Sequence, residues 1–238
     1  MKVLHLTDIE GYSLVIPDDL LQDLDFVVIS GDLTVGSKSI KNIVRTFNKI
    51  RSAIPTEIPI YYIPGNRDYP ITISDFEGKP ENFTQIHNTH ITIKLKEKKD
   101  IHLIGFGSAL PGFLNNFVRT EEEIESALEI LFEKVNKEKK SEDIVILLVH
   151  NPPINSSLDL TFTKLNIGSI SIRDAIEKYQ PDLCLCGHVH ESQSQEKIGK
   201  TLCINPGASK SGNATILEFS NEIKVELVNI GANLVKGK

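Results

Sequence analysis

The chain has few of the residues that stabilise secreted proteins. Its 238 residues include three cysteines and no tryptophan. Two of the cysteines, Cys184 and Cys186, alternate within one apolar run, where burial as small hydrophobic side chains is the simplest interpretation. A disulfide framework is therefore not expected, and a reduced, cytoplasmic setting is.

Positive charge is also scarce. The formal net charge is −6, and the sequence pI is about 5.7. Broad capture of nucleic acid depends on a basic surface, so nucleic acid is an unlikely partner. The longest basic stretch runs from Lys94 to Lys99 and is interrupted by Leu95 and Glu97, which favours a solvated strand edge.

Long hydrophobic runs are missing as well. A membrane-spanning helix needs about 20 apolar residues, and no run approaches that length. The first residues, Met1 to Leu6, lack the pattern of a secretory signal, so no membrane association is expected. With 40% hydrophobic residues, the chain can bury a substantial core, and we interpret residues 1–238 as a single domain.

Apolar runs and helical patterns follow one another along the chain. Buried strands are predicted at Lys2 to Leu6, Phe26 to Ser30, Ile58 to Ile63, Ile144 to Val149 and Asp182 to Cys186. Helices are predicted around Ile40 to Ile50, after the capping box of Thr120 and Glu123, and from Ser171 to a stop at Pro181. Strands without intervening helices are predicted for 83–106 and 194–228. Mixed sheets in a layered α/β domain would accommodate both patterns.

Five polar signatures each follow an apolar run. They are Asp8-Ile9-Glu10, Gly31-Asp32, Gly65-Asn66-Arg67-Asp68, His150-Asn151-Pro152-Pro153 and Gly187-His188-Val189-His190. One such signature is weak evidence, because Gly, Asp and Asn are common in turns. Ligands of open α/β sheets bind at the carboxyl ends of strands, so the repeated placement predicts one shared site.

The order and spacing of these signatures resemble the calcineurin-like metallophosphoesterase superfamily. The pattern of that superfamily runs Asp-x-His, Gly-Asp, Gly-Asn-His-Asp, His and Gly-His-x-His, and the resemblance extends from Leu4 to Ser209. It implies a four-layer αββα sandwich of two mixed β-sheets flanked by helices. It also implies hydrolysis of a phosphomonoester or phosphodiester by a metal-bridging hydroxide at a binuclear site.

The resemblance further implies which residues hold the two divalent ions. Asp32 would bridge them. The first position would comprise Asp8, Glu10, Asp32 and His190, and the second position would comprise Asp32, Asn66, His150 and His188. A mixed shell of imidazole, carboxylate and amide oxygen suits Mn²⁺, Fe or Zn²⁺ better than Ca²⁺. Asn66, Arg67 and His150 would contact the phosphoryl group as the catalytic set.

Two of these residues depart from the pattern, since Glu10 and Arg67 stand where the superfamily has histidine. Glu10 could ligate the first ion directly or through water, which is the interpretation that we favour, or turn away and leave that position weak. Arg67 cannot release a proton near neutral pH, so general acid catalysis would be lost there. It could instead grip phosphate oxygens or form a surface salt bridge, for example with Asp68.

The departures keep a second function open: a catalytically weakened or inactive metal-binding or phosphate-binding module on the same scaffold. A nuclease is a weaker possibility, because the chain is acidic. The turn Asn205-Pro206-Gly207-Ala208-Ser209 resembles an Asn-Pro-Gly turn of the superfamily, and we interpret it as packing beneath the site. Substrate, native metal and oligomeric state are not predicted.

Overall fold

Two six-stranded sheets occupy the centre of the molecule. The computed structural model describes residues 1–73, 76–94, 99–112, 116–220 and 222–233. The strands in chain order are β1 (Lys2–Leu6), β2 (Ser13–Val15), β3 (Phe26–Ile29), β4 (Ile60–Tyr62), β5 (Phe83–Gln85), β6 (Thr89–Ile93), β7 (Ile101–Phe106), β8 (Ile144–Val149), β9 (Leu183–Leu185), β10 (Ser194–Ile198), β11 (Thr201–Asn205), β12 (Asn213–Phe219), β13 (Ile223–Asn229) and β14 (Gly231–Asn233).

Helices connect several of these strands. They are α1 (Asp18–Leu21), α2 (Ile40–Ser52), α3 (Glu121–Glu138) and α4 (Ile170–Tyr179), with short 3₁₀ turns at Pro70–Ile73 and Ser209–Ser211. The regions 83–106 and 194–228 contain strands and no α-helix within their described residues, as predicted.

Both sheets are mixed. The first has the order β13-β12-β1-β3-β4-β5, in which β1, β3, β4 and β5 are parallel and β12 and β13 are antiparallel to their neighbours. The second has the order β10-β11-β9-β8-β7-β6, with four parallel central strands and an antiparallel strand at each edge. A separate two-stranded ladder joins β2 to β14.

Three apolar clusters hold four layers together. One lies between the sheets and includes Val3 and Val28 of the first and Leu148 of the second. A second packs the outer face of the first sheet against α2, and a third packs the outer face of the second sheet against α3 and α4. The predicted αββα sandwich is thus confirmed. Burial on both faces explains why these strands are apolar without alternation.

The helix starts agree with the sequence in one case and differ in another. At α3, the Thr120 hydroxyl accepts a hydrogen bond from the Glu123 backbone N–H, and the Glu123 carboxylate accepts one from the Thr120 backbone N–H, completing the capping box. The predicted start of α4 at Ser171 is wrong. Ser169 is the cap and accepts from the Ile172 N–H at 3.2 Å, while the Ser171 hydroxyl donates to the Glu121 carbonyl of α3.

The cysteines, the basic stretch and the helices bear on three further predictions from the sequence. All three cysteines are buried and free, which confirms their interpretation as core residues. Of the basic stretch Lys94 to Lys99, residues 95–98 lie outside the described residues. Among the helices in the described part of the chain, none is both long and apolar enough to cross a membrane.

Candidate metal centre

The loops after β1, β3, β4, β8 and β9 converge at one edge of the two sheets. They bring together all of the residues that the sequence nominated: Asp8, Glu10, Asp32, Asn66, Arg67, His150, His188 and His190. Ligand atoms of Asp8, Asp32 and His150 lie within 4.8 Å of one another. The carboxyl ends of the strands therefore form a single polar cluster.

Four of these residues have a left-handed backbone. The φ angles are +51° at Asp8, +47° at Glu10, +51° at Asp32 and +69° at His188. Residues other than glycine rarely adopt this conformation, and it costs free energy wherever it occurs. Here the loops hold each other: the Asp8 N–H donates to the Gly31 carbonyl at 3.0 Å, and the Glu10 N–H donates to the Asp32 carbonyl at 2.8 Å.

Two glycines allow the loops to approach closely. A Cβ on Gly65 would overlap the side chain and backbone nitrogen of Asp32. A Cβ on Gly187 would overlap the Thr7 side chain and lie 2.6 Å from Asp8 Oδ2. These contacts explain the glycine of the third and fifth signatures: each lets one loop lie directly against the loop that carries a carboxylate.

Asp68 fixes the β3 loop to the β4 loop. Its buried carboxylate accepts backbone N–H bonds from Gly65 at 2.9 Å, Leu33 at 3.1 Å and Thr34 at 2.8 Å. Burial raises the pKa of Asp68, and these hydrogen bonds oppose that rise. Because Asp68 is occupied in this way, the salt bridge suggested between Arg67 and Asp68 is not formed, and Arg67 pairs with Glu10 instead.

His150 presents a lone pair to two oxygens. Its Nδ1 lies 2.8 Å from the Ser30 carbonyl, which can only accept, so Nδ1 carries the proton. Burial lowers the pKa of His150, so the ring is neutral and its Nε2 is an acceptor. That nitrogen faces Asn66 Oδ1 at 2.9 Å and Asp32 Oδ1 at 3.6 Å. Two acceptors that face each other in a buried site repel unless a cation lies between them, so this pair fits a shared cation.

The remaining members of the second position have the same character. His188 Nδ1 lies 2.9 Å from the same Asn66 oxygen, and burial lowers the pKa of His188 to about 3. Asp32 is buried, and burial together with the charges of Asp8 and Asp68 raises its pKa well above the usual range. Concentrated negative charge beside neutral imidazoles is the environment that a divalent ion stabilises.

Asp8 and His190 form a charged pair beside them. The imidazole Nε2 of His190 donates to Asp8 Oδ1 at 3.0 Å, and Thr7 Oγ1 donates to Asp8 Oδ2 at 2.8 Å. Burial would raise the pKa of Asp8, but the hydrogen bond from His190 and the nearby histidines hold it well below the usual range. The same bond raises the pKa of His190 against the effect of burial.

Glu10 lies among three cationic groups. Its Oε1 pairs with Arg67 Nη1, lies 2.8 Å from Lys210 Nζ and is 3.6 Å from His190 Nε2.

Sequence reasoning missed Lys210, whose only signal was its place directly after the Asn205 to Ser209 turn. That turn is braced as interpreted: the Asn205 amide donates to the carbonyls of Leu158 and Val189, at 3.2 and 3.0 Å.

A cavity of about 450 Å³ opens onto the cluster. Its walls include Asp32, Asn66, Arg67, Leu110, Pro111, Gly112, Asn151, Ile167, His188 and His190. The Asn151 amide is buried, and neither of its polar atoms has a hydrogen-bond partner among the described residues. A larger cavity of about 760 Å³ lies beside Met1 and Asp25, away from these side chains. Of these two cavities, the smaller one borders the cluster, and a further cavity of about 540 Å³ borders Glu10.

Sequence comparison identifies the family. The family model described as "Metallophosphoesterase, calcineurin superfamily" matches residues 32–230. The chain belongs to this superfamily. The resemblance seen in the five signatures is therefore confirmed over most of the chain, including the loops that carry Asp32, Asn66, His150 and His188.

Relatives of this metallophosphoesterase span nearly the same length. An uncharacterised protein of Methanocaldococcus jannaschii, MJ1162, is 29% identical over 211 residues, which cover 87% of this chain and 88% of the relative. The structure of TT1561 of Thermus thermophilus superposes with a TM-score of 0.67 at 20% identity, covering 96% of this chain and 98% of the other.

A longer protein contains the same fold. The purple acid phosphatase PPD1 from yellow lupin seeds aligns with a TM-score of 0.56 at 14% identity. The alignment covers 96% of this metallophosphoesterase but 51% of the lupin chain. At such identities these structural matches show a shared fold and nothing finer.

Proposed function

We propose that this chain hydrolyses a phosphomonoester or a phosphodiester with the help of divalent metal ions, of which Mn, Fe and Zn suit its donor atoms best. The observation that carries the proposal is the contact between His150 Nε2 and Asn66 Oδ1, two acceptors 2.9 Å apart in a buried cluster. A bound cation would convert their repulsion into ligation. The second position, with Asp32 and His188, thus fits a divalent ion.

Each residue at the cavity has a task in this proposal. Divalent ions bound here would lower the pKa of water and neutralise phosphoryl oxygens. Ser30 fixes the His150 ring through Nδ1, so that Nε2 stays directed at the site. Asn66 can donate from its amide nitrogen to a phosphoryl oxygen, and Arg67 adds positive charge at the cavity wall. His150 would hold the ion through Nε2 and has no N–H left for a phosphoryl oxygen, because its Nδ1–H donates to Ser30.

The family and its fold support the substrate class. Structures that share the fold include the lupin purple acid phosphatase and a putative 5'-nucleotidase from Staphylococcus aureus, which aligns with a TM-score of 0.59 at 13% identity, over 97% of this chain and 53% of the other. The unpartnered Asn151 amide at the cavity wall also favours a polar ligand. Nucleic acid stays an unlikely substrate on the charge of −6. A single domain and a cytoplasmic location stay predictions from the sequence.

The alternative is a metal-binding or phosphate-binding module without turnover. It is favoured by Arg67, because an arginine paired with Glu10 replaces the expected proton donor. The test supplies purified protein with Mn²⁺ and follows hydrolysis of nitrophenyl phosphate and bis-nitrophenyl phosphate. Turnover that Asp32→Asn abolishes and the exposed control Asp174→Asn retains supports the enzyme. Bound metal without turnover supports the module.

The leaving group gives a sharper test of Arg67. Since arginine does not donate protons near neutral pH, we expect nitrophenyl esters to be hydrolysed and alkyl phosphates to be poor substrates. Arg67→His should raise the rate for the alkyl ester preferentially, by roughly 10²-fold or more if it restores general acid catalysis. Equal changes for both esters would show that Arg67 does not limit protonation of the leaving group.

A further inference from the structure

The first position is already supplied with positive charge by the chain itself. Oε1 of Glu10 is paired with Arg67 Nη1 and lies 2.8 Å from Lys210 Nζ. Glu10 is 6% exposed, whereas the side chains of Arg67 and Lys210 are 39% and 23% exposed, so the carboxylate end of each pair is the one shielded from water. A second carboxylate of that position, Asp8, accepts a hydrogen bond from His190 Nε2. Two carboxylates thus face three cationic or proton-donating groups.

Lys210 is held in place by the backbone around it. Its N–H donates to the Asp8 carbonyl at 3.2 Å, and the preceding Ser209 N–H donates to the Thr7 carbonyl at 2.8 Å. The Thr7 N–H in turn donates to the Ser209 hydroxyl at 3.0 Å. These bonds fasten the Lys210 turn to the very loop that carries Asp8. The backbone of Lys210 is therefore fixed beside Asp8, and from there its ammonium reaches Glu10 Oε1 at 2.8 Å.

The two positions differ in what their donors require. In the second position, His150 Nε2 and Asn66 Oδ1 face each other as acceptors and need a cation. In the first position, the contacts of Glu10 are with donors that carry positive charge. A divalent ion bound to the same Glu10 oxygen would be repelled by Lys210 and Arg67. The residues of the first position therefore do not fit a second ion as they stand.

We infer that Lys210, together with Arg67, takes the place of the first ion, so that the chain binds one divalent ion, at the second position. This inference rests on the proposed function only in the choice of the ion-holding residues. Positive charge toward the phosphoryl group then comes from one exchangeable ion and from two fixed side chains. The predicted ligation of an ion by Glu10 gives way to a Glu10 that positions Lys210 and Arg67.

The test counts ions. Protein stripped with a chelator is dialysed against Mn²⁺, and bound manganese is measured by mass spectrometry and by electron paramagnetic resonance. The parent should bind one ion and give the spectrum of isolated Mn²⁺. The double variant Lys210→Met with Arg67→Met should gain a second ion, whose coupling to the first broadens the signal. Lys210→Met alone should bind the second ion more weakly than the double variant.

Matched variants separate the effect of removing the Lys210 charge from a general effect of the substitution on the fold. Lys210→Arg keeps the cation and should bind one ion, and Lys200→Met makes the same substitution at an exposed turn and should also bind one ion. Two coupled ions in the parent would overturn the inference. In that event the hydrolysis proposed above could still stand, whereas one bound ion without hydrolysis would remove the function and leave the inference intact.

Discussion

At the scale of single residues, the site contains buried carboxylates whose negative charge lowers the stability of the metal-free fold. Asp32 is buried, and burial with the neighbouring charges of Asp8 and Asp68 raises its pKa. A carboxylate whose pKa is raised in the folded state opposes folding at neutral pH, because the unfolded chain ionises it more readily than the folded chain does. Its presence at this place is therefore explained by binding rather than by stability.

The substitution Asp32→Asn tests whether the Asp32 carboxylate lowers stability and serves metal binding. Removing the charge should raise the melting temperature of the metal-free protein by a few degrees, since about 1 kcal/mol corresponds to roughly 2–4 °C at this size. It should also remove the rise that Mn²⁺ produces in the parent, because a ligand stabilises only the state that binds it. Differential scanning fluorimetry with and without Mn²⁺ measures both effects.

The exposed Asp174→Asn variant is the control and should keep the response to Mn²⁺. A metal-free Asp32→Asn protein that melts below the parent would show that the Asp32 carboxylate contributes more through its hydrogen bond from the Arg67 N–H than it costs through its charge.

Sequence alone located the predicted ligands because each follows a buried strand, and parallel strands end at a common edge. It could not find Lys210, since the residue lies five positions beyond the end of β11, in the 3₁₀ turn Ser209–Ser211, and a lone lysine carries no spacing signal. It also could not assign partners: Arg67 meets Glu10 because two loops 57 residues apart in sequence lie against each other. Such pairings depend on the packing of loops, which local patterns do not encode.

At the scale of elements, capping decides how the outer helices begin. The start of α3 was predictable because Thr120 and Glu123 satisfy backbone N–H groups within four residues. The start of α4 was not, since Ser171 offered the better local pattern and the choice of Ser169 depends on Glu121. The carboxylate of Glu121 accepts from the N–H groups of Ile170 and Ser171 and from the Ser169 hydroxyl. A contact between helices thus overrode a local signal.

The cap of α3 can be tested without touching the site. Thr120→Ala should lower the free energy of unfolding by about 1 kcal/mol, because the Glu123 N–H loses its acceptor. Urea denaturation gives this change as a lower midpoint at an unchanged slope. Thr120→Ser keeps the hydroxyl and should retain most of the stability, and the metal stoichiometry of both variants should equal that of the parent. An unaffected midpoint in Thr120→Ala would mean that water replaces the cap at no cost.

The shortest helix and strands could not be predicted from the sequence. The ladder of β2 and β14 has three residues in each strand, and α1 has four residues. Segments of this length have too few positions to establish a period of 2 or 3.6 residues. Apolar side chains within or beside them, such as Leu14, Leu20 and Ile230, join the cluster between the first sheet and α2, and their position depends on that packing.

At the scale of the whole molecule, buried histidines set the response to acid. Burial lowers the pKa of five of them, while the bond to Asp8 raises that of one, His190. The five are His5 (about 3), His87 (about 4), His90, His150 and His188 (about 3). As pH falls below about 6.5, the unfolded chain binds protons at these five positions more readily than the folded chain does.

The free energy of unfolding of the metal-free protein should therefore decrease from pH 6.5 to pH 5. Each fully shifted histidine contributes up to about 1.4 kcal/mol per pH unit, and the groups whose pKa is raised, His190, Asp32 and Asp68, subtract from the sum. Urea titrations in chelator across this range measure the slope. His87→Gln, in a half-buried position, should flatten the slope by one such contribution. A stability that is level or increases toward pH 5 would contradict the assignment of neutral buried histidines.

The pairing of β1 with β12 has a consequence for how the protein is made. Lys2 lies opposite Glu218 and His5 opposite Thr215, so the central strand of the first sheet receives one neighbour only when the chain beyond residue 213 has left the ribosome. At about 5–20 residues per second, β1 waits roughly 10–40 s with one edge open. During translation that apolar edge is available to other nascent chains, so slower initiation or chaperone cover should improve the soluble yield of this protein.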